Sequence, residues 1–398
     1  MSEKGRRQRR AREYDEDDSR SEGSEESAAS HSSTSPRGRE FADEALEDKL
    51  GMAVDALSEK RATTREGALH TICTVLTLKY VPDLLEERIQ TLSDAVKKSI
   101  SKSGVEGDGA AKALALASLT LGHGHLSNMF QIIKELARDP AFPPSNKSAV
   151  IDALAVLVLM EEQDPGQKLE WLTFAEGIFS ERKQDEGVAK SSVNLWGVIA
   201  TEIDVRYLHD SFDQYIAAHE RLLSHESTEV RISAGENIGI IFEMMDDTDS
   251  TYDNKDGLIE KLGDLAADAS RHNKGKKDAA KSQRMAFKEL LATIEDSASP
   301  SHRLTIRKME YTLTSWASWK RLNLIKYFLN EGLSVHLEQN EHVQSCLSLD
   351  VVAEAPERPT GQNKRVQQLI QQRVDKLRTK SLSTERDKRS SSRHLEED

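Results

Sequence analysis

The chain has 398 residues, with 55 basic against 68 acidic side chains and a formal net charge of −13. Only 37% of positions are hydrophobic and 5% aromatic, which is low for a single compact globule and suits an elongated, Ala- and Leu-rich helical array with polar tails. The acidic balance argues against a general nucleic-acid coat, although charge acts locally and its distribution matters more than its sum. The two cysteines, Cys73 and Cys346, exclude a disulfide framework and point to a reducing compartment, and no run of 18 apolar residues exists to cross a membrane.

Residues 1–40 are low-complexity: basic "KGRRQRRAR", acidic "EYDEDDSRSEGSEE", then "SAASHSSTSPRGR". They cannot bury enough apolar surface to offset the entropy of ordering, so a disordered N-terminus is predicted. The opening "MSEKGRRQRR" has no apolar core of a secretory signal; its basic run suits a nuclear-localisation or anionic-surface segment.

Helical periodicity begins at Phe41 and runs to about residue 350. Five segments resemble one another: "TTREGALHTICTVLT" (63–77), "GDGAAKALALASLTLG" (107–122), "NKSAVIDALAVLVLM" (146–160), "VAKSSVNLWGVIATEI" (188–203) and "STEVRISAGENIGIIFEM" (227–244). Registered on Ala68, Ala115, Ala153, Asn194 and Ala234, they repeat at spacings of 47, 38, 41 and 40. That is the period of HEAT or armadillo units. In the last copy Val230, Ala234, Ile238 and Ile241 share a face, and Gly235 and Gly239 allow close helix approach. Amphipathic stretches between the copies, such as residues 84–100 and 207–223, supply the partner helices, with Pro82, Pro140, Pro143 and Pro144 at junctions. The fold class predicted is all-α: a right-handed HEAT/armadillo-like solenoid with a small helical C-terminal domain and disordered termini. Its parts are the N-terminus (1–40), the repeat domain (41–298), the C-terminal helical domain (299–350), and a linker with a basic, partly helical tail (351–398).

Chemical motifs are sparse. "DSTYDNKDGLIE" (249–260) mimics a calcium loop but carries Asn254 where the sharp turn needs glycine, so it reads as an acidic loop between helices. His123 and His125 have no further His/Cys pair at metal spacing, and Cys73 lies on an apolar helix as a small core residue. No nucleophile elbow, phosphate loop, dinucleotide fingerprint or zinc-protease motif is present, so no enzyme, cofactor, metal or small-molecule substrate is expected. Trp316 and Trp319 share a helical face that packs inward or, alternatively, offers a stacking platform to bases.

Two basic segments stand out against the acidic whole. In "RHNKGKKDAAKSQRMAFKELL", Arg271, Lys274, Lys276, Lys277, Lys281, Arg284 and Lys288 fall within 18 positions, interrupted only by Asp278. The second half reads as a helix with Met285, Phe287, Leu290 and Leu291 inward, the first as a loop and first turn presenting cations. Like charges at this spacing repel, and phosphates relieve that repulsion through counterion release. From Arg358 to Arg393 eleven basic residues face three acidic ones, with Val366, Leu369, Ile370, Val374 and Leu377 on one stripe.

Four stretches, in order and spacing, resemble the interferon-related developmental regulator family: "TTREGALHTICTVL" followed by "VPDLLEERIQTLSDAV", "EVRISAGENIGIIFEM", "KDAAKSQRMAFKELLATIE" and "SWASWKRLNLIKYFLNEGLSVHLEQNE". The similarity spans about residues 41–347 and returns in the Lys/Arg-rich tail. The serine-acidic N-terminus and Ser318-Trp319-Lys320 depart from it. The resemblance implies a non-enzymatic regulator, either associated with ribosomes that are not translating or acting as a nuclear transcriptional co-regulator that binds protein partners. Together with the charge pattern it implies rRNA contacts through Arg271, Lys274, Lys276, Lys277, Lys281, Arg284, Lys320 and Arg321. The tail cations Lys364, Arg365, Arg373, Lys376, Arg378 and Lys380 would form an arm in a ribosomal channel. A cytoplasmic location, with a nuclear alternative, is expected.

Overall fold

A computed structural model describes residues 48–181, 183–248, 250–268, 277–306, 309–348 and 350–354. The expectations for residues 1–40, for Arg271, Lys274 and Lys276, and for the tail beyond Glu354 lie outside the described residues. Helix α1 covers residues 48–56. It is followed by α2 (Ala62–Leu78), α3 (Pro82–Glu86), α4 (Ile89–Ser99), α5 (Val105–Leu121), α6 (Phe130–Arg138) and α7 (Pro144–Glu161). Next come α8 (Pro165–Phe179), α9 (Glu186–Ala200), α10 (Phe212–Leu222), α11 (Thr228–Asp247), α12 (Lys255–Asp268) and α13 (Lys277–Asp296). The C-terminal part holds β1 (His302–Ile306), β2 (Met309–Leu313), α14 (Trp316–Leu329), α15 (Leu333–Gln339), α16 (Glu341–Leu347) and β3 (Asp350–Glu354).

The helices form a solenoid. α2, α5, α7, α9, α11 and α13 pack one against the next as an inner row, and α4, α6, α8, α10 and α12 each back the inner helix that follows them. Sequence decides which helix goes where. α5 and α7 are apolar nearly all round and bury most of their residues, as an inner helix flanked on both sides must. α6 buries only Ile133 and Ala137 and leaves its other face to water. Helix starts are fixed by Pro144 and Pro165 at the first turn, where a missing N–H costs nothing. Asp164, Asp185 and Ser227 accept backbone N–H groups at their helix caps.

The five sequence repeats are the inner helices α2, α5, α7, α9 and α11. A sixth inner helix, α13, lies outside the five sequence repeats: it begins at Lys277, so Lys277 to Arg284, within the stretch read as a loop and first turn, are helical throughout. Inward packing rests on Gln283, Phe287, Leu290 and Ile294, whereas Met285 is 55% exposed. The C-terminal part is also not purely helical. β1, β2 and β3 form an antiparallel sheet in that order, with His302 opposite Leu313 and Thr312 opposite Asp350, and an irregularity at Glu310/Tyr311. The predicted linker from residue 351 therefore begins as the last four residues of a strand.

Candidate functional site

α14 lies across the inner row and touches α11, α9, α7, α5 and α2 in turn, so the chain's own helix covers part of the solenoid's concave face. Its N-terminus is pinned to α11. Ser315 caps it by accepting the Ser318 N–H, and the Glu243 carboxylate accepts the Trp316 N–H at 2.8 and 2.9 Å. Burial, despite those bonds, pushes the Glu243 carboxyl up to about 7. The Trp316 indole donates to Thr293 Oγ1 at 2.9 Å and packs so tightly on Gly239 that a Cβ there would sit 2.7 Å from the ring.

The next turn of α14 corrects the sequence reading of Lys320 and Arg321. Lys320 is 3% exposed, and its ammonium donates to Asn194 Oδ1 at 2.9 Å, Ser233 Oγ at 3.2 Å and Glu236 Oε2 at 2.9 Å. All three ammonium protons are used. Arg321 donates from Nε to Thr201 Oγ1 and from Nη1 to the Cys346 carbonyl, each at 3.0 Å, and pairs with Glu202 at 3.0 Å. These two cations fasten the C-terminal domain to α9 and α11; neither is presented to RNA.

The remaining C-terminal elements sit at the C-terminal ends of the inner helices, where carbonyls lack intrahelical partners. The His336 ring donates from Nε2 to Leu76 O of α2 at 2.9 Å, and Asn340 Nδ2 donates to Leu119 O of α5 at 2.7 Å. Arg321 Nη2 reaches Thr201 O at the end of α9. Two glycines permit this closeness. A Cβ on Gly332 would lie 1.7 Å from Thr77 O, and one on Gly122, whose φ is +68°, would lie 2.5 Å from the His342 ring.

The basic stretch is split by the structure. Lys281 and Lys288 are exposed on α13 and Arg284 is partly buried; none has an ion-pair partner among the described residues. Lys277 opens the helix. The side of α13 facing the solenoid is locked by Gln283, which accepts from Arg231 at 2.6 Å and donates to Leu265 O at 2.9 Å. The two tryptophans are packing residues: Trp316 is buried, and Trp319 stacks on His302 with ring centres 3.6 Å apart. His123 and His125 belong to a loop organised by Glu161, whose carboxylate accepts the N–H groups of Gly124, His125 and Leu126. No group of three or more metal-ligating side chains occurs among the described residues.

Sequence reasoning missed a hollow of about 460 Å³ beside α14, lined by Asp152, Lys190, Ser191, Glu229, Asn323 and Tyr327 among others. Two signals were there to find it. Asp152 is the lone carboxylate within the apolar run "AVIDALAVLVLM", and Asn194 is the polar member of an otherwise all-Ala register series.

These features define a class: a helical repeat protein whose inner face is partly covered by its own C-terminal domain. The sequence profile described as Interferon-related developmental regulator matches residues 17–295, and the chain belongs to that family. It is 29% identical over 369 residues to interferon-related developmental regulator 2 of Mus musculus, covering 87% of this chain and 83% of the relative. To interferon-related developmental regulator 1 of Homo sapiens it is 26% identical, covering 87% and 81%. Among solved structures it is similar to Kap121p bound to Pho4p, with 14% identity, a TM-score of 0.44, and 78% of this chain against 29% of that one. A designed armadillo repeat protein aligns with 16% identity and a TM-score of 0.37, covering 60% of this chain and 99% of that one.

Proposed function

We propose that this family member is a non-enzymatic, cytoplasmic translational regulator that binds idle ribosomes. Its basic segments contact rRNA, and its C-terminal arm occupies a functional channel. One observation carries the reading: α13 projects Lys281 and Lys288 into solvent, on the helix that directly continues the basic run from Arg271. The phosphate-facing set is then Arg271, Lys274, Lys276, Lys277, Lys281 and Arg284, joined by Lys288. The tail cations Lys364, Arg365, Arg373, Lys376, Arg378 and Lys380 form the arm. Such contacts are sequence-independent and neutralise phosphate, so affinity falls as salt rises.

Co-sedimentation of the full chain with purified ribosomes across a salt series tests this. Lys274, Lys276, Lys281 and Lys288 changed together to Glu should weaken binding and lower the salt slope by about one unit for each phosphate no longer neutralised. Unfolding should be unaltered, because Lys281 and Lys288, the described residues among the four, are exposed. The reading is overturned if the wild-type chain does not sediment with ribosomes at low salt, or if the quadruple variant binds with the same affinity and slope. Protein partners that survive RNase treatment while ribosomes do not would favour the alternative, a nuclear scaffold for transcription-regulatory proteins.

A further inference from the structure

The concave face is not filled by α14. On one side of the helix runs the hollow at Asp152, formed by α7, α9, α11 and α14. A second hollow of about 420 Å³ lies between α2, α5 and the turn after α14, with Glu66, Asp108, Lys112 and Glu331 in its lining. Asn323, Leu324 and Tyr327 of α14 line the first hollow, and Asn330 and Glu331, just past the end of the same helix, line the second; burial, then the Asp152 and Asp108 carboxylates, push the Tyr327 phenol above the ordinary value. The two hollows thus lie one after the other along α14 and its following turn.

The groove's composition is unusual for a surface left to water. Of the large hydrophobic side chains exposed among the described residues, Val105 at 70%, Tyr327 at 65% and Leu78 at 37% line it. Two of its cations are committed: Lys190 pairs with Glu229, and Lys320 with Glu236 at 2.9 Å, while Lys112, also in the lining, is exposed. Asp152 and Asp108 have no such partner. Asp152 is held by Ser191, with the Lys190 charge acting on it without a direct ion pair, and Asp108 accepts from Asn146 Nδ2 at 2.5 Å. Burial raises both carboxyls, Asp152 to about 6, so each is a desolvated acid that an arriving cation would relieve. A groove with exposed apolar anchors and unmatched carboxylates fits a segment that is basic and apolar at once.

The chain carries such a segment. After Glu354, 44 residues follow, and "NKRVQQLIQQRVDKLRTK" sets Val366, Leu369, Ile370, Val374 and Leu377 at helical spacing among Lys364, Arg365, Arg373, Lys376, Arg378 and Lys380. A 17-residue helix from Lys364 to Lys380 would be about 25 Å long. Inner helices spaced 8–10 Å apart place α5 and α9 roughly 20 Å from each other. The nine residues from Ala355 to Asn363 span up to about 30 Å when extended, enough to cross a helix layer. We infer that the groove beside α14 is the docking site of the chain's own basic tail, residues 364–380, with its apolar stripe on Tyr327, Val105 and Leu78 and its cations at Asp108 and Asp152. Charge complementarity and the length of chain available favour this occupant. The docking stands apart from the ribosomal reading; only its consequence, that groove and rRNA compete for the same arm, rests on that reading.

Zero-length carbodiimide coupling of the full-length chain, without ribosomes, tests the docking. Equal amounts of ordinary and nitrogen-15-labelled chains are mixed, and coupled peptides are identified by mass spectrometry. Couplings from Lys364, Lys376 or Lys380 to Asp108 or Asp152 are expected within like-labelled chains. With Leu369→Ser and Leu377→Ser together, which leave the charge unchanged, their yield should fall by about tenfold or more, as when two apolar anchors of an interface are removed. The inference is overturned by an absence of such couplings, or by equal yields to exposed acids elsewhere, such as Asp55 and Asp253. It is likewise overturned by a yield that ignores the serine changes, or by couplings found only between differently labelled chains, which would make a second copy the occupant. Added ribosomes that suppress the coupling would support the competition; ribosomes that leave it unchanged would refute the competition and leave the docking intact.

Discussion

Lys320 shows how far a side chain's neighbours in sequence can mislead. Set in "SWKRL", it reads as half of a basic pair; in the structure its ammonium joins α14 to α9 and α11 through Asn194, Ser233 and Glu236. The signal that separates the two readings is periodicity. Trp316, Lys320, Leu324 and Phe328 recur every four residues, so Lys320 rides the apolar stripe of its own helix. Its net contribution to stability is small in principle, because desolvation offsets much of the Coulomb attraction, but removing one partner strands the other. Lys320→Ala is therefore expected to destabilise the fold by about 3–5 kcal/mol, read from urea unfolding, while Lys288→Ala on the exposed face stays within about 0.5 kcal/mol. Should Lys320→Ala unfold like wild type yet lose ribosome binding, the residue would return to the RNA-facing set.

At the scale of elements, the repeats were legible because the central inner helices α5, α7 and α9 bury most of their residues, which leaves Ala-rich runs at spacings near 40. The small sheet was not. "HRLTI" and "MEYTL" are five residues each, too short for alternation to stand out, and the Arg307-Lys308 connection carries no Asn-Gly or Asp-Gly turn signal. Nor could spacing show that the C-terminal helices sit on the ends of the inner row, since His336–Leu76 and Asn340–Leu119 join residues 260 and 221 positions apart. That docking has a sensitive point at Gly332, whose absent side chain lets the turn before α15 approach Thr77. Gly332→Ala drives a methyl group into the Thr77 carbonyl and should cost at least the ~1–3 kcal/mol of an overpacked core. It should also speed amide exchange in the last turn of α2. Gly67→Ala, on the same helix with nothing within 4 Å, should instead stabilise by about 0.5–1 kcal/mol by restricting the unfolded chain. Equal exchange in the two variants would show that α2 and the C-terminal helices do not depend on each other.

For the whole molecule, the buried titratable groups act against one another with pH. Glu243, raised to about 7 by burial, holds its proton in the folded chain over a range where the unfolded chain, near 4.5, has lost it. Its contribution to stability is thus full below about 4.5 and lost as pH rises through 7. Asp152, raised to about 6, behaves alike from a lower start. His219 works in the opposite direction. It is fully buried between Trp196 and Phe179, bonded to Tyr215 O and Asn237, and burial lowers it to about 4. The unfolded imidazole takes a proton from about 6.5 downward, so that contribution is lost as pH falls below this value and through 4. Going from pH 8 to 5.5, Glu243 alone adds roughly 2 kcal/mol and His219 removes roughly 1.4, at about 1.4 kcal/mol for each unit of pKa shift that is traversed. The wild-type chain should accordingly be more stable at pH 5.5 than at pH 8. Glu243→Gln removes the larger gain and should reverse the sign, leaving the variant less stable at pH 5.5 than at pH 8 in urea unfolding. Parallel profiles for the two proteins would mean that Glu243 is ionised in the fold at neutral pH, held by the N–H groups at the start of α14 rather than governed by its burial.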